Sequence, residues 1–296
     1  MGKHAYLVMA HRYDETFLQM MKLIDYRDND IFLHMDVKCT DYSEEKIREQ
    51  VHFSNLYLTK RTDVRWGDTS QINTELLLLK DATNTGSYRY YHLISGQGLP
   101  IKSQKYIHQL LENDNLEYLE VVSDAEPENP VDYDRAHYYH DLELGQSRID
   151  MIRADHLSVE EQKKKGVIRN ADISFRKGSN WFSITDDLAR YVVSKEDWIR
   201  EVFDRTICAD ELFMQTVVRQ SPFWDRLARD PSGLNYSFNL REIDWSRGNG
   251  MNPHIYTKED AELLFNSKML FARKFDCNED KEIIDILCNR IMSEEN

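Results

Sequence analysis

Ala5-Tyr6-Leu7-Val8-Met9-Ala10 is an unbroken apolar run near the start of the chain. A short run of this kind, with no polar alternation, fits a strand buried on both faces, as strands of parallel sheets are. Working outward, Asp14 or Thr16 offers an N-cap to a helix whose apolar face is Phe17, Met20, Met21 and Ile24. Ile31 to Met35 predicts a second strand, ending at Asp36. A helix over Glu44 to Val51, a strand at Leu56 to Leu58 and a longer helix centred on Leu76 to Leu79 follow. Then come a strand at Tyr90 to Ile94, a helix at Tyr106 to Leu111 and a strand at Tyr118 to Val122. Strand and helix in regular alternation predict an α/β fold with a mostly parallel central sheet flanked by helices. Such sheets bind ligands at the carboxyl ends of their strands.

From Ser123 to Lys177 the regularity fades. Ala125 to Pro130 is rich in turn formers, Tyr133 to His140 reads as irregular chain, and Lys163-Lys164-Lys165-Gly166 as a solvated helix end. Trp181 to Ile184 predicts a strand, Thr185 the cap of a helix through Val193, and Asp210 to Val218 another helix. Leu240 to Trp245 reads as a strand and Arg247 to Gly250 as a loop. With no linker or repeat in view, one domain over 1–296 is expected: a nucleotide-binding half to about residue 122 and a second half from about 123 that completes the site.

The chain has 296 residues, 41% of them hydrophobic and 30% charged, an ordinary globular balance. A formal net charge of −14 argues against nucleic acid as a partner, since that needs a basic face. Any anionic ligand must therefore find a local basic pocket. No early apolar run approaches a membrane span or a signal peptide, so a cytoplasmic location is expected, with peripheral membrane association left open. Cys39, Cys208, Cys277 and Cys288 lack metal-site spacing and read as reduced thiols.

Phosphate-binding and dinucleotide glycine loops are absent, as are the HExxH and GxSxG patterns. The fourth strand runs into Ser95-Gly96-Gln97-Gly98 with no carboxylate to hold a metal. Asp28-Asn29-Asp30 precedes its strand, Asp132-Tyr133-Asp134 lies in irregular chain, and Asp124-Ala125-Glu126 follows a later strand; all three read as surface acid. No metal is expected. The cations that stand out are Arg273 and Lys274, within Leu270-Phe271-Ala272-Arg273-Lys274-Phe275-Asp276. Anchored by Leu270, Phe271 and Phe275, such a pair suits a phosphate group; the plainer alternative is two solvated helix-end charges.

Tyr6 to Met35, His92 to Lys102, Gly178-Ser179-Asn180-Trp181-Phe182, Asp210-Glu211-Leu212-Phe213 and Leu270 to Asp276, taken in this order, resemble the core-2/I-branching glycosyltransferase family. That family holds the branching β-1,6-N-acetylglucosaminyltransferases and the peptide xylosyltransferases. The resemblance implies a GT-A fold, an inverting mechanism, metal-independent catalysis and a compact bacterial member without the anchor and stem of the animal enzymes. Glu211 matches the family's general base, and Asp210 caps the helix or orients its neighbour. Lys274 matches the diphosphate lysine. The family's second diphosphate cation, an Arg, falls near Met251, so Arg247 or Arg273 is the candidate substitute. Gly98 stands where the family tends to carry Asp.

Ala10, His11 and Asp36 match the uridine end of the first two strands, and Arg65 and Trp66 a segment that closes over the nucleotide. Ser95 and Gln97 match contacts to donor or acceptor sugar, and Trp181 a position facing the acceptor. His11 and Trp181 also have purely structural readings. The expected function is transfer of a sugar, N-acetylglucosamine first, from a UDP donor to a hydroxyl of a saccharide or glycolipid acceptor in a surface polysaccharide, giving a β-linkage. The UDP-sugar is a substrate, and no cofactor is expected. The rivals are another donor such as UDP-xylose, a metal held by Asp124 and Glu126, or an idle sugar-binding scaffold.

Overall fold

The computed structural model describes residues 2–124, 129–141 and 147–295. Eleven strands and eleven helices follow one another among them. The first half holds β1 (His4–Ala10), α1 (Glu15–Ile24), β2 (Asn29–Met35), α2 (Glu44–Arg48), β3 (Asn55–Leu58), α3 (Ser70–Thr85), β4 (Tyr90–Ser95), β5 (Gly98–Pro100), α4 (Gln104–Leu111) and β6 (Tyr118–Leu119). Next come β7 (Ser123–Asp124), α5 (Pro130–His137), α6 (Arg148–Lys164), β8 (Arg176–Lys177), β9 (Phe182–Ile184), α7 (Asp186–Ser194), α8 (Glu196–Val202) and α9 (Phe213–Arg219). The chain closes with β10 (Arg241–Ile243), α10 (Ala261–Asn266), β11 (Phe271–Arg273) and α11 (Lys281–Glu295).

The main sheet has the order β3-β2-β1-β4-β9-β6, with β3, β2, β1 and β4 parallel and β9 antiparallel to both its neighbours. This is the expected α/β class, a mostly parallel sheet flanked by helices. Side chains alternate across β1. Tyr6, Val8 and Ala10 join Phe17, Met20 and Met21 of α1 and Ile283 and Leu287 of α11 on one face. Ala5 and Leu7 join Leu76 and Leu79 of α3 and Leu188 of α7 on the other. Burial of the first strand at every position but Met9 thus follows from helices on both sides. Strand order reverses between β1 and β4, which leaves a crevice at their carboxyl ends. A second sheet, β10-β11-β5, joins β5, directly after β4, to two later strands and brings Arg241, Ile243 and Arg273 to that crevice.

Asp14 is the cap of α1, its carboxylate accepting from the Phe17 amide at 3.0 Å. Thr185 sits at the N-cap of α7 without capping it; its hydroxyl donates instead to buried Glu117 at 2.7 Å. The stretch read as irregular after Ser123 holds two helices, α5 and α6. Asn29 and Asp30 lie inside β2, where Asp30 accepts from Lys3 and from the Tyr88 hydroxyl, both at 2.8 Å. The helix expected over Asp210 to Val218 is broken into a 3-10 turn, Ala209–Glu211, and α9.

Candidate active site

A cleft of about 770 Å³ opens at the carboxyl ends of β1, β2 and β4. It gathers Ala10 and His11 after β1, Asp36 after β2, Ser95 and Gln97 after β4, and Trp66, Trp181, Asp210, Glu211, Arg273 and Lys274 from later chain. Arg65 and Arg247 are not among its lining residues. Arg65 pairs with Asp63 at 2.9 Å. Arg247 is clamped between Asp244 at 2.5 Å and Asp260 at 2.7 Å, so this candidate for the second cation is already paired, and Arg273 is the one that reaches the cleft. Met251, the position matched to the family's second cation, does face the cleft.

The basic end is built by β11. Arg273 pairs with Gly98 across the β11–β5 ladder, and the Phe275 amide donates to the Gln97 carbonyl at 2.9 Å. Leu270, Phe271 and Phe275 are buried, so this segment is a fixed strand rather than a frayed helix end. The Arg273 guanidinium lies 4.6 Å from the Trp181 ring centre, a cation–π contact, and its Nε is shielded from water with no partner. Burial holds its pKa down to about 10. Lys274 makes no ion pair among the described residues. Partial burial, then the neighbouring Arg273 and Arg12 cations, lower its pKa. Arg12 itself is neutralised by Asp276 at 2.6 Å. An uncompensated ammonium beside a buried guanidinium is a place for an anion.

The acidic end is the 3-10 turn. Glu211 is 37% exposed at its side chain, opens on the cleft, and accepts from Arg135 Nη2 at 3.1 Å. That nitrogen also donates to the Cys208 carbonyl at 2.6 Å, which ties the arginine to the turn it orients. Asp210 is buried and accepts from Gln71 Nε2 at 2.9 Å. Burial and the adjacent Glu211 raise its pKa to about 7. Asp210 supports the turn from beneath, while Glu211 is the carboxylate a ligand can reach. Gly178 donates its amide to the Glu211 carbonyl at 3.0 Å. A Cβ at Gly178 would stand 1.8 Å from the Glu120 carbonyl oxygen, so only glycine permits this approach.

At the β2 end, the Asp36 carboxylate accepts from the Lys38 amide at 2.8 Å and the Val64 amide at 3.2 Å, and pairs with the Lys38 ammonium at 2.9 Å. It thereby staples the segment that carries Trp66 to the cleft wall. His11 is exposed at the cleft mouth. Ser95 accepts from the Gln97 amide at 3.2 Å, and the side-chain Nε2 of Gln97 is buried without a partner.

Several cleft residues escaped the sequence reading. Glu120 and Lys177 line it, and burial raises the pKa of Glu120. Glu120 falls just past the end of β6, a strand-end position hidden by the longer strand expected there through Val122. Arg135 had none, because α5 read as irregular chain. Among the described residues one group has metal-ligand spacing, Asp14, Asp276 and Cys277, and Arg12 already holds its Asp276. Of the alternative metal pair, Glu126 lies outside the described residues, and the Asp124 backbone pairs with Arg176 in the β7–β8 ladder.

The sequence matches the profile described as Core-2/I-Branching enzyme over residues 4–269. It is 26% identical over 293 residues to the N-acetyllactosaminide beta-1,6-N-acetylglucosaminyl-transferase of Mus musculus, covering 93% of this chain and 69% of that one. Against the Homo sapiens protein of the same name the identity is 25%, covering 93% and 68%. Xylosyltransferase 2 of Rattus norvegicus is 22% identical over 307 residues, covering 96% of this chain but 33% of the relative. No helix among the described residues is long and apolar enough to cross a membrane.

Proposed function

The chain belongs to the Core-2/I-Branching enzyme family and is a glycosyltransferase, and from that premise we propose that it is an inverting, metal-independent enzyme of GT-A type. Its donor is a UDP-sugar, UDP-N-acetylglucosamine first. Its acceptor is a hydroxyl of a saccharide or glycolipid destined for a surface polysaccharide, and the enzyme works in the cytoplasm.

One observation carries the reading: the Lys274 ammonium, with no ion pair of its own among the described residues, and the exposed Glu211 carboxylate share one cleft. The uridine lies at the ends of β1 and β2, against Asp36 and under Trp66. Glu211, oriented by Arg135, takes the acceptor's proton as its oxygen attacks the anomeric carbon. The bond to the diphosphate breaks on the opposite face, which inverts the configuration. Negative charge grows on the leaving UDP, and Lys274 with Arg273 stabilises it most in the transition state. Trp181, its face already against Arg273, leaves an edge toward the acceptor. In this scheme two protein cations supply the charge that a divalent ion would otherwise provide.

The test is UDP release from UDP-N-acetylglucosamine and UDP-xylose in excess chelator, with Glu211→Gln beside the parent. Turnover should persist with chelator and vanish in E211Q while UDP affinity stays within about threefold. Preference for UDP-xylose would revise the donor alone. Turnover that needs added manganese, or survives in E211Q, would overturn the mechanism.

A further inference from the structure

Beside the acidic end of the cleft, the surface carries a group of side chains that the scheme above does not use. Trp224, in the 3-10 turn Pro222–Arg226, stacks on Tyr236 with ring centres 4.4 Å apart. Each ring carries an arginine. The Arg219 guanidinium lies 4.9 Å from the Trp224 ring centre, and that of Arg229 lies 3.8 Å from the Tyr236 ring centre. Both arginines are exposed, and neither makes an ion pair among the described residues.

The turn between Arg229 and Tyr236 is held from inside. The Asp230 carboxylate accepts from the Ser232 hydroxyl at 2.7 Å and from the amides of Ser232 and Asn235, both at 2.9 Å. The Tyr236 amide donates to the Val121 carbonyl at 2.9 Å. Leu234, within this turn, is 85% exposed, more than any other large apolar side chain among the described residues. Its neighbour Asn235 lines the cleft and donates to Glu120 at 3.4 Å. A fixed turn thus sets an apolar tip one residue from the cleft wall, between the two arginine-capped rings in sequence.

A guanidinium laid on a ring is already ordered, and its N–H edge stays open to an anionic oxygen. Residues 219–236 hold three arginines and two aspartates, a local positive excess in a chain of net charge −14. Arg226 is shared between Glu117 and Asp187, and Asp230 is spent on its turn, which leaves Arg219 and Arg229 against Asp225 in this stretch. Acids elsewhere on the chain are screened beyond about 8 Å at physiological salt. An acidic glycan would answer the arginines and leave Leu234 in water. An anionic lipid surface answers both, and Trp and Tyr are the residues that favour its boundary with water.

Resting on the proposed reading that the acceptor is a glycolipid, we propose that Arg219, Arg229 and Leu234 dock the enzyme on an anionic lipid surface, with the cleft opening beside the headgroups. Leu234 enters the boundary between headgroups and acyl chains, and the arginines take lipid phosphate oxygens. One apolar tip and two cations give weak, reversible attachment. A lipid-linked acceptor in the cleft is the second point of contact, so residence lengthens once it is engaged.

Co-sedimentation of the whole chain with vesicles tests this. The parent should bind vesicles of phosphatidylcholine mixed with phosphatidylglycerol, ignore pure phosphatidylcholine, and be released by high salt. Arg219→Gln together with Arg229→Gln should lower partitioning about 20-fold, each cation contributing roughly fivefold. Leu234→Ser should lower it about tenfold. Thermal melts and transfer to a soluble acceptor should match the parent in both variants, while transfer to acceptor embedded in the anionic vesicles falls with partitioning. Equal binding to both kinds of vesicle, or variants that partition like the parent, would overturn the inference. So would a chain that ignores vesicles but is retained on dextran sulfate through the two arginines, a result that would give the patch to an acidic glycan. Vesicle binding without any transferase activity would count against the proposed function and leave the docking surface standing.

Discussion

At the scale of single residues, the site sets two carboxylates side by side in different environments. Glu211 faces the cleft and Asp210 is buried, with a pKa raised from 3.8 to about 7. The folded protein therefore holds a proton that the unfolded chain releases. Stability from this group is undiminished below the unfolded pKa and falls as pH rises between about 4 and about 7. Asp210→Asn should accordingly raise Tm relative to the parent at pH 8, and the gain should disappear near pH 4. Thermal melts across that window check it; a pH-independent offset would mean that Asp210 is charged in the fold at no cost. Lys274→Ala should weaken UDP binding about tenfold or more by calorimetry, the scale of one charge-assisted contact. Arg135→Gln should lower kcat more than it changes donor KM, because the arginine touches Glu211 and not the nucleotide.

At the scale of elements, the predictions concern packing. Gly178→Ala must push the Gly178 to Trp181 segment off the Glu120 backbone, which costs about 1–3 kcal/mol as overpacking does. Because the same glycine holds the Glu211 carbonyl, kcat should fall with stability; denaturant melts paired with turnover would show both or refute the link. On the far face, Leu287 of α11 is fully buried against the first core. Leu287→Ala should cost about 2–5 kcal/mol without altering donor KM. The elements themselves were legible where periodicity was clean. Strands β1, β2 and β4 each carry an apolar run, Ala5 to Ala10, Ile31 to Leu33 and Leu93 to Ile94, and α1 has its cap and stripe in plain view. Helix α6 was not, because Ile149, Ile152 and Leu157 are exposed while Asp155 is buried on His140, which inverts the usual pattern. The site divided in the same way. Lys274, Glu211 and the strand-end residues could be placed from motif and strand order. The Trp181–Arg273 stacking, the Arg135 clasp and the loss of Arg247 to Asp244 and Asp260 arise from tertiary contacts that spacing does not encode.

At the scale of the whole molecule, a chain of net charge −14 brings Lys38, Lys177, Arg241, Arg273 and Lys274 to one crevice, beside Asp36, Glu120, Asp210 and Glu211. That crevice takes walls from β1, β2 and β4 and from chain beyond Lys177, so a ligand seated there ties both halves together. Saturating UDP should thus raise Tm, with about 2.7 kcal/mol gained at a hundredfold excess over Kd, and Lys274→Ala should reduce the shift at equal UDP. The most direct test of the account is a crystal structure with UDP bound in the presence of chelator. The account predicts the Lys274 Nζ within about 3 Å of a diphosphate oxygen, with Arg273 adjacent and the uracil near Asp36 and Trp66. A diphosphate held away from Lys274, with that ammonium turned to solvent, would contradict it.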